Sequence, residues 1–217
     1  MIQRIHMKKP AFTMIELVFV IVVLGILAAL AMPRLDRDIE QETKDSILSA
    51  IRYTQHLALT DNKHRFDEPD WQKALWQIHF EDNGATGGWS YAIASNMGLD
   101  NSLDANESAT DPANGQLFHY NAINASPNIF IEKLYGIDDI SFNGCSGTSN
   151  SSAKHIAFDN LGRLHRGVTQ GATYDYATYV KGGDCQITFS ASSFDNNFTI
   201  KIKQETGYAY ILGQPNS

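Results

Sequence analysis

The chain predicts an α+β fold. Three observations carry that prediction: an apolar run over residues 12–32, a helix-period apolar stripe behind it, and a series of short runs of period two after residue 74. One long amino-terminal helix and one β-rich carboxy-terminal body account for all three. With 217 residues, 43% hydrophobic and 11% aromatic, the chain has room for one domain with its own core beyond the first helix.

The apolar run "FTMIELVFVIVVLGILAALAM" contains one charge, Glu16. At ~1.5 Å per helical residue its length approaches the ~30 Å hydrocarbon core of a bilayer. A secretory signal is the rival reading, since Ala29 and Ala31 stand where a cleavage site would be. The apolar part of such signals is usually only ~7 to 15 residues, and the length argues against one here. Arg4, Lys8 and Lys9 precede the run, whereas Arg34 and Arg37 behind it are mixed with Asp36, Asp38 and Glu40. That bias keeps the amino terminus inside and exports the chain beyond Pro33. Cys145 and Cys185, the two cysteines, suit an oxidising compartment. A bond between them would close a loop of ~40 residues and stabilise the fold by about 4 kcal/mol; two buried free thiols are the alternative.

Glu16 needs a partner, because a carboxylate in a spanning helix costs ~2 to 3 kcal/mol near the bilayer centre and less toward an end. A helix amino terminus carries about half a positive charge, and a free α-amine there adds a full one. Cleavage just before Phe12 would create that amine.

On these residues the stretch "KKPAFTMIEL" resembles the processing site of type IV prepilins and type II secretion pseudopilins. The resemblance implies cleavage between Ala11 and Phe12, N-methylation of Phe12, and alignment of incoming subunits by Glu16 as the fifth mature residue. Alanine stands at position 11, where the family usually has glycine. Pro33 matches the proline at the end of the family's first apolar stretch, where a missing donor bends or loosens a helix. The implied partners are a prepilin peptidase and N-methyltransferase, other pseudopilins or pilins, and an inner-membrane assembly platform. The implied location is the bacterial inner membrane, single-pass, with a periplasmic carboxy-terminal domain.

The expected division is a leader over 1–11, a membrane or filament-core helix over 12–32, an amphipathic helix over 33–62 and a β-rich body over 63–217. In the second helix Ile39, Thr43, Ile47, Ile51, Gln55 and Leu59 recur at helical spacing, with Ala50 and Ala58 beside them and Asp38, Glu42, Lys44, Asp45 and Arg52 opposite. Strands are predicted over Ala74–Phe80, Trp89–Ser95, Leu117–Ile123, Ile129–Leu134 and Ile137–Gly144. Two more flank a turn at Asn160 to Gly162, and "CQITFS" and "FTIKIKQETGYAYIL" supply the rest, with a turn at Glu205 to Gly207. The succession "AFDNLGRL", "CQITFS", "FTIKIKQETGYAYIL" is similar to the carboxy-terminal half of H-type minor pseudopilins and related minor pilins. It implies a pilin-like fold in which the long helix packs on an antiparallel, β-sandwich-like domain.

Enzymatic chemistry has no foothold in the sequence. His56, His64, His79, His119, His155 and His165 lack metal-ligand spacing, CxxC and HExxH are absent, and "NGCSGTS" lacks the strand–GxSxG–helix context of a hydrolase. In "DNSLDANESATD" the residues Asp100, Ser102, Asp104, Asn106, Ser108 and Asp111 fall at calcium-loop positions. Ala105 replaces the turn glycine and Asp111 the bidentate glutamate, so Asp100, Asp104 and Asp111 form a weak calcium candidate beside the plainer reading of a solvated insertion. No other cofactor is expected. The formal net charge is −7, and loss of the leader leaves 14 basic against 24 acidic residues, a poor match to nucleic acid. The function implied is that of a structural minor pseudopilin of a type II secretion system. A minor type IV pilin serving pilus assembly, adhesion, motility or DNA uptake is the alternative.

Overall fold

The computed structural model describes residues 13–68, 70–84, 87–100, 102–145, 153–166 and 183–214. Helix α1, Met14–Thr60, is one 47-residue α-helix. The chain separates into two compact units, Met1–Ile39 and Glu40–Ser217, so α1 contributes its first part to one and its second part to the other.

In the second unit α1 buries Thr43, Ile47, Leu48, Ala50, Ile51, Thr54 and Ala58, a three-and-four spacing that keeps one face against the core. The expected stripe is corrected at its ends: Ile39 and Leu59 are exposed, and Leu48 is buried in their stead. The helix stops two residues short of Asn62, where Thr60 Oγ1 turns back to the carbonyls of His56 and Leu57 at 3.1 and 3.0 Å.

Among the described residues eight strands come after it. β1 (Trp76–Asp82), β2 (Trp89–Ser95), β3 (Ile137–Asn143), β4 (Ala153–Phe158), β5 (Leu164–Arg166), β6 (Cys185–Ala191), β7 (Phe198–Ile202) and β8 (Ala209–Ile211) build two four-stranded sheets, ordered β2-β1-β4-β5 and β3-β6-β7-β8. Every paired neighbour is antiparallel. Strict alternation in "CQITFSA" and "FTIKI" sends Ile187, Phe189, Ile200 and Ile202 inward, as the period of two requires. One buried cluster joins these to Ile78, Phe80, Ile156 and Phe158 of the other sheet and to Ile47 and Ile51 of α1. Phe80 meets Phe189 edge-on at 5.5 Å between centroids.

Two predicted strands are overturned. Residues 117–123 make only the isolated bridges Thr110↔Leu117 and Leu117↔Ala125 before the chain turns, and Ile123 is fully exposed, so no alternation exists to pack. Residues 129–134 are helical: a 3₁₀ turn over Pro127–Ile129 leads into α2 (Ile131–Tyr135). Ser126 Oγ accepts from Asn128 N at 3.3 Å, Pro127 opens the turn, and Gly136 closes α2 at φ 74° with its N–H on Glu132 O. The first strand is also displaced, because Trp71–Ala74 forms a 3₁₀ turn and pairing starts at Trp76.

Candidate assembly site at the amino-terminal helix

Thr13 stands just ahead of α1 and its Oγ1 accepts the Glu16 backbone N–H at 3.3 Å, while its carbonyl accepts Leu17 N at 3.2 Å. Threonine here does what an N-cap does, satisfying one of the donors that a helix start leaves unpaired. The spacing Thr-x-x-Glu is a capping-box signature, legible in the sequence itself. Capping fixes Glu16 in the first helical turn, where the helix dipole favours an anion.

Behind it, from Met14 to Leu27, the apolar side chains point outward on every side. Met14 is 85% exposed, Ile15 78% and Phe19 68%, and no described residue of this stretch is buried. A helix apolar all round has no solvent face, so it needs lipid or other helices about it. Among the described residues no helix is long and apolar enough to cross a membrane. Ala11 and Phe12 lie outside the described residues, and the α-helical stretch continues through Pro33.

The family model of the prokaryotic N-terminal methylation motif matches residues 6–32, the stretch that holds Phe12, the capped Glu16 and the apolar helix. The chain is type IV pilin-like. Its α+β architecture, one long helix followed by antiparallel sheets, is the pilin-like arrangement expected. No curated protein and no solved structure matches the chain. The motif supports a pilin or a pseudopilin, a membrane-anchored amino terminus, processing by a prepilin peptidase and assembly with other pilins.

Elsewhere in this pilin-like chain, Cys145 and Cys185 are joined in a disulfide between the end of β3 and the start of β6, both 2% exposed or less. The three acidic residues of the calcium candidate are engaged separately. Asp100 Oδ1 accepts Ser102 N and Oγ, and the Asp104 backbone N–H donates to the buried Glu107 at 3.1 Å. Asp111 is held by Ser126, Asn114 and Asn128. Among the described residues no group of three or more His, Cys, Asp or Glu is placed to hold a metal ion.

One buried polar cluster lies outside every sequence expectation. In the turn between β4 and β5, Asp159 Oδ1 accepts the N–H groups of Leu161 and Arg163, and Oδ2 accepts Arg163 Nε at 2.7 Å and faces His165 Nε2 at 3.2 Å. Burial pushes this carboxyl up, but the bonds from His165 and from the Arg163 backbone and side chain outweigh it and hold the group at about 2. Its sequence signal is the Asp-Asn-x-Gly turn, which by itself is indistinguishable from an ordinary Asx turn.

Proposed function

We propose that this chain is a structural, non-enzymatic minor pseudopilin of a type II secretion system, similar to the H-type. The observation that carries the reading is the all-round apolar, exposed helix behind a capped Glu16 inside the methylation-motif match. Prepilin peptidase cuts between Ala11 and Phe12, and the new amine is methylated. The helix waits in the inner membrane with the β-rich body in the periplasm, until the assembly platform moves it out beside its neighbours.

In that filament apolar helix faces cover one another, and a neighbour's terminal amine neutralises Glu16. Charge pairing in an apolar surround is strong because water does not screen it, and an unpaired carboxylate there is costly. Glu16 thereby discriminates an aligned subunit from a slipped one. The secretion reading, over a pilus reading, rests on the "AFDNLGRL" and "ETGYAYIL" resemblance and on the acidic balance of the mature chain.

Glu16→Ala tests the assembly step: processing should persist while co-purification with other pseudopilins falls, and unchanged incorporation would refute it. Deletion of the gene separates the two machines. Retention of exoproteins in the periplasm with normal surface pili supports the pseudopilin, whereas normal release with lost pili, motility or transformation supports the minor pilin.

A further inference from the structure

β2 ends at Ser95, and the chain turns through Asn96, Met97 and Gly98 into a loop that the isolated bridge Ala94↔Ser108 brings back alongside β2. Gly98 lies where the two meet. Its φ is not positive, so the turn does not require glycine for its backbone conformation. What glycine supplies is room: a Cβ there would lie 3.3 Å from Glu107 Oε1, 3.6 Å from Asp100 Oδ2 and 3.8 Å from Asn96 Oδ1. The three nearest atoms beyond its chain neighbours are thus acceptor oxygens, each from a different residue.

Two of those oxygens lack a donor. Asn96 is 6% exposed, and its Nδ2 donates to Asp100 O at 2.9 Å, which turns Oδ1 to the other side of the amide. That buried oxygen has no hydrogen-bond partner among the described residues, an arrangement that is unfavourable unless something meets it. Asp100 Oδ1 accepts Ser102 N and Oγ at 2.8 and 3.1 Å, and no donor among the described residues reaches Oδ2. Glu107 is buried and fixed at both oxygens: Oε2 accepts Asp104 N at 3.1 Å, and Oε1 accepts Gly98 N at 2.6 Å and keeps a second lone pair. Among the described residues neither carboxylate is in an ion pair. Lys73, a cation that reaches this loop, donates to Leu99 O at 2.9 Å and pairs with Asp70 at 3.1 Å.

We infer that Asn96 Oδ1, Asp100 Oδ2 and Glu107 Oε1 bind a calcium ion beside Gly98. Two carboxylates turned to one small space repel each other, and a buried amide oxygen without a donor adds to the unmet demand; a cation answers all three. The donors are all oxygens, which suits a hard cation, and no thiol or imidazole stands among them to select zinc. Calcium accepts uneven oxygen sets and completes them with water, whereas magnesium demands near-octahedral geometry. Gly98 and Asp100 are exposed, so water can take the remaining positions. The set differs from the calcium-loop spacing of the sequence: Asp100 is common to both, Asp104 serves through its backbone N–H on Glu107, and Asp111 is held by Ser126, Asn114 and Asn128. The ion ties the end of β2 to the 3₁₀ turn over Ala105–Glu107. The inference does not depend on which filament the chain joins.

The test is a calorimetric titration of the chelator-treated full chain in non-ionic detergent micelles, with calcium chloride and with magnesium chloride at constant ionic strength. Saturable calcium binding is expected with a Kd of ~10⁻⁴ to 10⁻³ M, and weaker binding of magnesium. Asp100→Asn keeps an acceptor for Ser102, and Gly98→Ala fills the space without changing charge; each should weaken calcium binding at least ~10-fold. Both positions are exposed, so the variants keep the fold, which near-ultraviolet circular dichroism checks. Asp104→Asn should leave binding unchanged. Neither a saturable heat nor a rise in unfolding temperature at ~10 mM calcium would overturn the assignment. Magnesium binding as tight as calcium, undiminished binding in Gly98→Ala, or an equal loss in Asp104→Asn would do the same.

Discussion

The Gln55 side-chain amide donates to Gly162 O at 3.0 Å, and the same nitrogen reaches Thr206 O at 2.8 Å. One residue of α1 thus ties together the β4–β5 turn of one sheet and the β7–β8 turn of the other. Room for this arrangement depends on Gly207, where a Cβ would sit 2.1 Å from Gly162 O and 2.4 Å from Gln55 Nε2, at a φ of 63°. Gly207→Ala therefore meets both a backbone clash and an unfavourable conformation, and should cost more than ~2 kcal/mol. Gln55→Ala leaves two carbonyls to find water and should cost ~1 to 2 kcal/mol. Denaturant unfolding of the two variants checks the order, and an unperturbed Gly207→Ala would contradict it.

The Asp159 cluster gives stability a defined acid limb. Its folded pKa, about 2, lies below the ordinary value of 3.8, so its contribution is present above that ordinary value and is lost as pH falls through about 2. With partial screening by water at this surface turn, the loss over the window amounts to roughly 1 to 2 kcal/mol. Asp159→Asn should be destabilised relative to the parent at pH 6, and the gap should narrow below pH 4. Unfolding curves at several pH values measure it; a gap constant with pH would exclude the ionic contribution.

Cross-linking of Cys145 to Cys185, 40 residues apart in sequence, fixes β3 to β6 at the edge of the core. Joint replacement by serine should lower unfolding stability by ~2 to 4 kcal/mol. Because both sulfurs are buried, a mild reductant should release thiols only when denaturant is present. Prompt release from the native protein would show that the bond is not packed as described.

Much of this fold is legible locally because alternation is strong where one strand face is buried. "FTIKI" and "CQITFSA" place their inward residues without reference to the rest of the chain. The departure at 129–134 has a local cause: aromatic and β-branched content suggests a strand there, and the punctuation overrides it. Ser126-Pro127 and Gly136 mark a capped helical turn, and propensity yields to such signals. At the candidate assembly site, Glu16 is legible because a charge in an apolar run is conspicuous, and the Thr13 cap because the Thr-x-x-Glu spacing spells it. A cavity lined by Tyr53, Tyr91, Asp111 and Phe118 is illegible in sequence, since its walls come from α1, β2 and the loop beyond, which only the tertiary fold brings together.

The most direct measurement on the pilin-like assignment is intact-protein mass spectrometry of the chain from cells with and without their prepilin peptidase. With the enzyme present, the mature species should begin at Phe12, carry one added methyl group there and lack residues 1–11. Without it, the chain should retain Met1. A peptidase-independent cut near Ala29 or Ala31, or an uncleaved chain in both cells, would contradict the assignment.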